Sequence, residues 1–106
     1  MVLHVMQWSI LPDKKEAYMA WAKGAVARAL SVPGVAEVRG YRPVTGSAEV
    51  VITYEFADLA TWETWYSNPA VQAVQTELQS FTTDLNTELW GASPVIPVPI
   101  RPGAGK

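Results

Sequence analysis

Apolar and polar positions alternate imperfectly from Val2 to Ile10. Val2, His4, Met6, Trp8 and Ile10 fall on one face, and Leu3, Val5, Gln7 and Ser9 on the other. Both faces begin apolar, so the pattern predicts a central strand covered on both sides. Leu11-Pro12 ends it, because proline cannot extend a central ladder. The period then lengthens: Tyr18, Trp21, Ala22, Ala25, Val26, Ala29 and Leu30 make a helical stripe, with Lys14, Lys15, Lys23 and Arg28 largely opposite. Asp13, with Glu16 three residues on, reads as a capping box opening that helix. Gly24 costs about 1 kcal/mol against alanine inside a helix, and the expected return is close backbone approach to a neighbour.

Val32-Pro33-Gly34 breaks the helix, and residues 35–43 read as a second strand with Ala36, Val38 and Gly40 on one face and Glu37, Arg39 and Tyr41 on the other. A turn at Thr45-Gly46-Ser47 leads into residues 48–56, the richest strand pattern in the chain, with Ala48, Val50, Ile52, Tyr54 and Phe56 as its apolar face. Asp58 is placed to cap a helix burying Leu59, Trp62, Trp65 and Tyr66. Asn68-Pro69 interrupts it, and Val71, Val74, Leu78 and Phe81 give a further helix. A fourth strand is read at residues 85–90. The order β-α-β-β-α-β predicts an α+β, ferredoxin-like fold with a four-stranded antiparallel sheet. It spans residues 1–91, followed by a proline-rich extension at 92–106. Val95, Ile96, Val98 and Ile100 favour docking of that extension on a neighbouring surface, and disorder is expected from Gly103 onward.

At 106 residues the chain makes one domain that buries roughly two-thirds of its unfolded surface. Apolar residues are 49% and charged residues 17%, below the usual quarter for charge, so one more buried face than a monomer can close is expected. Tyr41, Val51 and part of the first strand would leave an apolar patch on the sheet, which points to a two-fold homodimer. A net charge of −2 and pI near 5.2 give no footprint for nucleic acid or an anionic membrane. No apolar run approaches the ~20 residues of a membrane span. The N-terminus lacks the basic and small-residue marks of a signal peptide, and a cytoplasmic location is expected. Without cysteine there is no disulfide, thiolate nucleophile or zinc-thiolate site.

The Val-Pro-Gly-Val run at 32–35, Tyr-Glu-Phe-Ala-Asp at 54–58, Trp65 with Asn68-Pro69, and His4 followed by Pro12-Asp13 come in an order and spacing that resembles the dimeric α/β-barrel superfamily. Within it the chain is similar to the antibiotic-biosynthesis monooxygenase-like and stress-responsive α/β-barrel families, over residues 2–90. The resemblance implies two ferredoxin-like subunits forming a dimeric α/β barrel, each with a pocket between sheet and helices. It also implies a range of members: cofactor-independent oxygenases of quinols and polyketide anthrones, haem-degrading oxygenases, isomerases and many without known activity. Haem members have a tryptophan at the place of Trp65 and an axial histidine about ten residues later, where this chain has Gln75 and Thr76; an iron porphyrin needs a strong axial ligand. Many oxygenase members carry histidine where Trp65 stands.

Within that frame His4, the only histidine, is the candidate base; its plain alternative is a hydrogen-bonded strand histidine. Glu55 is expected to point away from the helices, paired with Arg39, with Glu37 competing and Tyr41 joining as donor. A structural ion pair is the plain alternative there. Gln7 is a further donor. Trp8, Trp21, Tyr54, Phe56, Trp62, Trp65 and Tyr66 are expected to serve both as core and as the wall of an aromatic pocket. The expected function is oxygenation of an aromatic or quinol-like small molecule without metal or cofactor. The alternatives are a non-catalytic ligand-binding or stress-responsive dimer, and an isomerase or cyclase using the same pocket. The non-catalytic reading predicts a cavity that is small or filled by Trp8 and Trp65, with His4 not aimed into it.

Overall fold

A computed structural model describes residues 1–103. Strand β1 (Val2–Ile10) leads through a 3-10 turn (Pro12–Lys14) into α1 (Lys15–Leu30), followed by β2 (Glu37–Tyr41), β3 (Val50–Phe56), α2 (Leu59–Tyr66), α3 (Pro69–Gln79) and β4 (Thr82–Trp90). The sheet is antiparallel in the order β2-β3-β1-β4. It is the expected ferredoxin-like α+β arrangement, an open sheet with three helices on one face. β1 lies inside the sheet because both its faces carry apolar residues, and Val5 is buried on the face away from the helices.

Register decides which side chains meet the helices. His4 stands opposite Tyr54, Met6 opposite Ile52, and Trp8 opposite Val50, so the apolar faces of β1 and β3 form one continuous floor. Phe56 and Trp65 are fully buried against each other, ring centroids 5.0 Å apart. The Trp65 indole N–H donates to the carbonyl of Ala29 at 2.9 Å, giving a carbonyl of the last turn of α1 a partner and tying α1 to α2. Gly34, at φ +126°, lets the chain turn beneath α2, where an added Cβ would lie 3.1 Å from Thr61 Cγ2. Asp58 caps α2 by accepting from the Thr61 N–H, and Asn68 caps α3 by accepting from the Ala70 N–H, with Pro69 in the first helical position.

Several local expectations are corrected. Asp13 does not cap α1: Pro12 starts a 3-10 turn one residue earlier, Leu11 occupies the cap without an acceptor, and no side-chain cap bond forms there or at Lys14. Gly24 faces solvent with nothing within 4 Å of an added Cβ, so no close approach repays it. Leu59 is 54% exposed rather than buried. β2 and β3 are shorter than read, and Ala36 and Ala48 lie outside them. β4 begins at Thr82, three residues earlier than expected, and carries an irregularity against β1 between Gln7 and Ser9. There Asp84, at φ 56°, and Leu85 both oppose Trp8, the two-against-one count of a bulge.

Beyond Trp90 the chain continues as an arm without helix or strand. Its apolar side chains stay in solvent, Ile96 53% and Val95 85% exposed, and the radius of gyration of 15.6 Å exceeds the ~13 Å of a compact chain this long. Of the segment from Gly103 onward expected to be disordered, Gly103 is an exposed turn residue, and residues 104–106 lie outside the described residues.

Candidate functional site

A cavity of about 260 Å³ opens between the helices and the β1–β3 floor. α1 contributes Tyr18, Trp21, Ala22, Ala25 and Val26; α3 contributes Val74, Gln75 and Leu78. Met6 and Trp8 come from β1, Ile52 and Tyr54 from β3, and Gly40 and Tyr41 from β2. The space exists because small residues face one another: Ala22 and Ala25 on α1 stand over Gly40, where an added Cβ would meet nothing within 4 Å. Its sequence signal is the Ala-rich part of the α1 stripe set against a glycine on the inward face of β2.

Few polar groups reach this space. The Trp8 indole N–H donates to the Tyr18 hydroxyl at 3.2 Å, fixing two wall residues against each other. The Tyr54 hydroxyl has no hydrogen-bond partner among the described residues, and burial pushes its phenol up to about 12. It therefore holds its proton and can act as a donor, not as a base. Outside the wall, the Trp21 N–H donates to Glu77 Oε1 at 2.8 Å, and Arg28 grips both oxygens of the same carboxylate at 2.7 and 2.8 Å. The Arg28 guanidinium, then the indole, hold the Glu77 carboxyl down at about 2. This clasp joins α1 to α3 and orients Trp21; neither Arg28 nor Glu77 stands out in the sequence.

His4 lies beside the cavity and not on its wall. It is 1% exposed and enclosed by rings, with centroid distances of 5.2 Å to Tyr66, 5.7 Å to Trp65 and 6.2 Å to both Tyr54 and Trp62. Trp62 and Tyr66, one turn apart on α2, stack at 5.2 Å and 14°. The Trp62 N–H donates to His4 Nδ1 at 3.1 Å, while Nε2 is enclosed without a partner. Since Nδ1 accepts, the imidazole proton sits on Nε2. Burial lowers the His4 pKa to about 4, so the ring is neutral near pH 7.

The remaining candidates lie on the face away from the helices. Arg39 pairs with Glu37, its neighbour two residues back on β2, and not with Glu55. Gln7 and Glu55 occupy the same outer face on β1 and β3, and Gln7 is exposed. Tyr41, 50% exposed, reaches from that face to the rim of the cavity. The structure thus brings Trp8, Trp21, Tyr41 and Tyr54 to one cavity, gathers Trp62, Trp65 and Tyr66 around His4, and leaves Gln7, Arg39 and Glu55 on the open side of the sheet. Among the described residues no cluster of His, Cys, Asp and Glu could hold a metal ion, and no helix is long and apolar enough to cross a membrane.

A family model for antibiotic biosynthesis monooxygenases matches residues 1–77. The chain belongs to that family. Among solved structures it is similar to SnoaB, a cofactor-independent oxygenase from Streptomyces nogalater, at 18% identity and TM-score 0.69, covering 92% of this chain and 97% of that one. It is also similar to the Arabidopsis thaliana protein At3g17210, at 10% identity and TM-score 0.77, covering 88% and 96% of the two chains. A dimeric protein of unknown function and ferredoxin-like fold from Bacteroides fragilis superposes at TM-score 0.67 with 14% identity, covering 84% and 93%. At such identities the likeness is one of fold. No curated protein matches the chain by sequence.

Proposed function

We propose that this protein is a cofactor-independent oxygenase of a small aromatic or quinol-like substrate, working as a homodimer. The observation that carries the reading is the apolar, tryptophan- and tyrosine-walled cavity in a chain of this family. At about 260 Å³ it falls just under the usual range for ligand sites, which suits one or two fused rings. An activated C–H of the substrate loses its proton. The resulting anion passes an electron to O2, and the radical pair combines to form a C–O bond. The peroxide anion takes a proton back, and the second hydrogen of the same carbon leaves as a proton while the O–O bond breaks, releasing water and leaving a carbonyl. Tyr54 donates to the oxygen on which the anion's charge collects, and the indoles of Trp8 and Trp21 hold the ring.

His4 is the base of this scheme, and it needs a free lone pair. Nδ1 is occupied by Trp62 and Nε2 carries the proton, so His4 acts only when the Trp62 indole releases it and the rings around it open toward the cavity. Oxygen uptake with a panel of hydroquinones and anthrones tests the reading. Turnover lost in both His4→Ala and Gly40→Val supports it; absence of turnover with every substrate, or full turnover in His4→Ala, removes the catalytic assignment. Gly40→Val places two methyl groups in the open space and suits a strand.

One observation favours a second reading, ligand binding without catalysis: His4 is not on the cavity wall. That reading keeps ligand affinity in His4→Ala and predicts no oxygen consumption. In either case the dimer closes on the outer sheet face, where Tyr41 and Trp90 are half exposed, and where Gln7, Arg39 and Glu55 form a polar seam between subunits. Two such faces make the barrel that a single open sheet cannot.

A further inference from the structure

Resting on the cavity reading above, we infer that the site selects its ligand by charge state. It takes the un-ionised aromatic and rejects the same ring bearing a carboxylate or other fixed charge. Among the described residues lining the cavity there is no Asp, Glu, Lys, Arg or His. An ion moved into such a space leaves water without gaining a counter-charge, at a cost of several kcal/mol. A neutral phenol surrenders only one hydroxyl's hydration and meets Tyr54, a donor and acceptor with both capacities unused by the described protein groups.

The charges around the site are paired within the protein: Glu49, which acts on the Tyr18 phenol, accepts from the Ile10 N–H and lies 3.9 Å from Lys15. Glu77, behind Trp21, is matched on both oxygens by Arg28, so the pair presents no net charge through the indole. Arg39, two residues from Tyr41 at the rim, is held by Glu37. His4, beside the cavity, offers no lone pair and no cation at neutral pH, because Trp62 occupies Nδ1 and burial disfavours the imidazolium. The wall is polarisable, and its polar groups are neutral: the Tyr hydroxyls and the Gln75 amide. This also bears on the oxidative step: the anion arises after binding, inside the cavity, and is not the species captured from water.

The test is calorimetric titration of the full-length protein with 2-naphthol and 2-naphthoate at pH 7, repeated for the naphthoate as pH falls through its carboxyl ionisation. The expected result is naphthol binding on the order of 100-fold tighter than naphthoate at pH 7, with naphthoic acid gaining affinity as it protonates. Gly40→Val should abolish binding of either. Equal affinity for the two at pH 7 overturns the charge selection and leaves the cavity reading standing. Naphthoate affinity that collapses in Arg39→Ala overturns it too, since the rim would then supply a counter-charge. If neither compound binds, or both bind Gly40→Val unchanged, the cavity reading fails and the selection with it.

Discussion

The Trp62 indole donates to Nδ1 of His4 across 3.1 Å, and the other ring nitrogen of His4 is enclosed with no partner. This pairing fixes one tautomer and holds the imidazole neutral in a ring-lined niche. It has a consequence for stability. The folded-state pKa is about 4 against 6.5 for an unperturbed histidine, so the unfolded chain binds more protons between those values. Stability from this group is therefore fully present above pH 6.5 and is lost as pH falls toward 4. The gap corresponds to about 3 kcal/mol. Urea unfolding midpoints at pH 7, 5.5 and 4.5 should fall accordingly, and His4→Gln should flatten the dependence in that window. An unchanged slope in the variant would assign the acid loss to other groups.

The Glu77 clasp predicts a different signature. Its carboxylate orients Trp21 from outside the cavity while making no contact with the space itself. Glu77→Ala should loosen the Trp21 ring, seen as a red-shifted and less anisotropic fluorescence component in a background where the other tryptophans are unchanged. Naphthol affinity should drop about twofold to fivefold, the scale of an exposed ion pair. Arg28→Ala leaves the Trp21 hydrogen bond intact and should have the smaller effect on the ring. An equal effect of the two would mean that helix spacing, not indole orientation, is what the clasp maintains.

Gly34 joins backbone to packing at one point. At φ +126° a side chain is strained, and a Cβ there would press on Thr61 at the start of α2. Gly34→Ala should cost about 1–2 kcal/mol by chemical denaturation. Pro33→Ala beside it, where no such crowding is built in, should cost less. If Gly34→Ala is neutral, α2 shifts freely on the sheet, and the ring enclosure of His4 should then loosen in the same variant.

The architecture was legible because it rests on two periods. Alternation in β1 and β3 and the helical stripes in α1 and α3 each bury a face, and that requirement fixes their order on the sheet. What escaped reading depends on single atoms or on missing ones. Pro12 moved the helix start by occupying the first position of a 3-10 turn, which puts Asp13 inside the turn and not at the cap. The first half of β4, Thr82 to Leu85, is polar and bulged, so no alternation marks it. A pocket between sheet and helices was expected from the resemblance, but its opening is set by side-chain volume that Ala22, Ala25 and Gly40 do not supply, a signal split between α1 and β2. His4 meets Trp62 across 58 positions, a contact fixed by how α2 tilts over the sheet. The ion pair of Arg39 went to Glu37 on its own strand because both point outward two residues apart, a shorter reach than to Glu55.

The arm after Trp90 gives the last prediction. Its prolines at 94, 97, 99 and 102 remove backbone donors, so it cannot add a regular strand to any sheet. Its side chains Val95, Ile96, Val98 and Ile100 are nonetheless apolar and exposed. With Met1, Leu3 and Trp90 the arm borders an open groove of about 400 Å³ at the end of the outer sheet face. In a two-fold dimer a patch must complement itself, and an apolar arm beside an apolar groove meets that condition, so each arm is expected to lie in the groove of the other subunit. Ile96→Asp with Val98→Asp should raise the dimer dissociation constant at least about tenfold, read by sedimentation equilibrium. The circular dichroism of the monomer should stay unchanged, because neither residue belongs to its core. Unfolding midpoints should depend on concentration in the wild type and shift to higher concentration in the double variant. A double variant that dimerises as tightly as the parent would place the arm outside the interface, and the groove would then need another occupant.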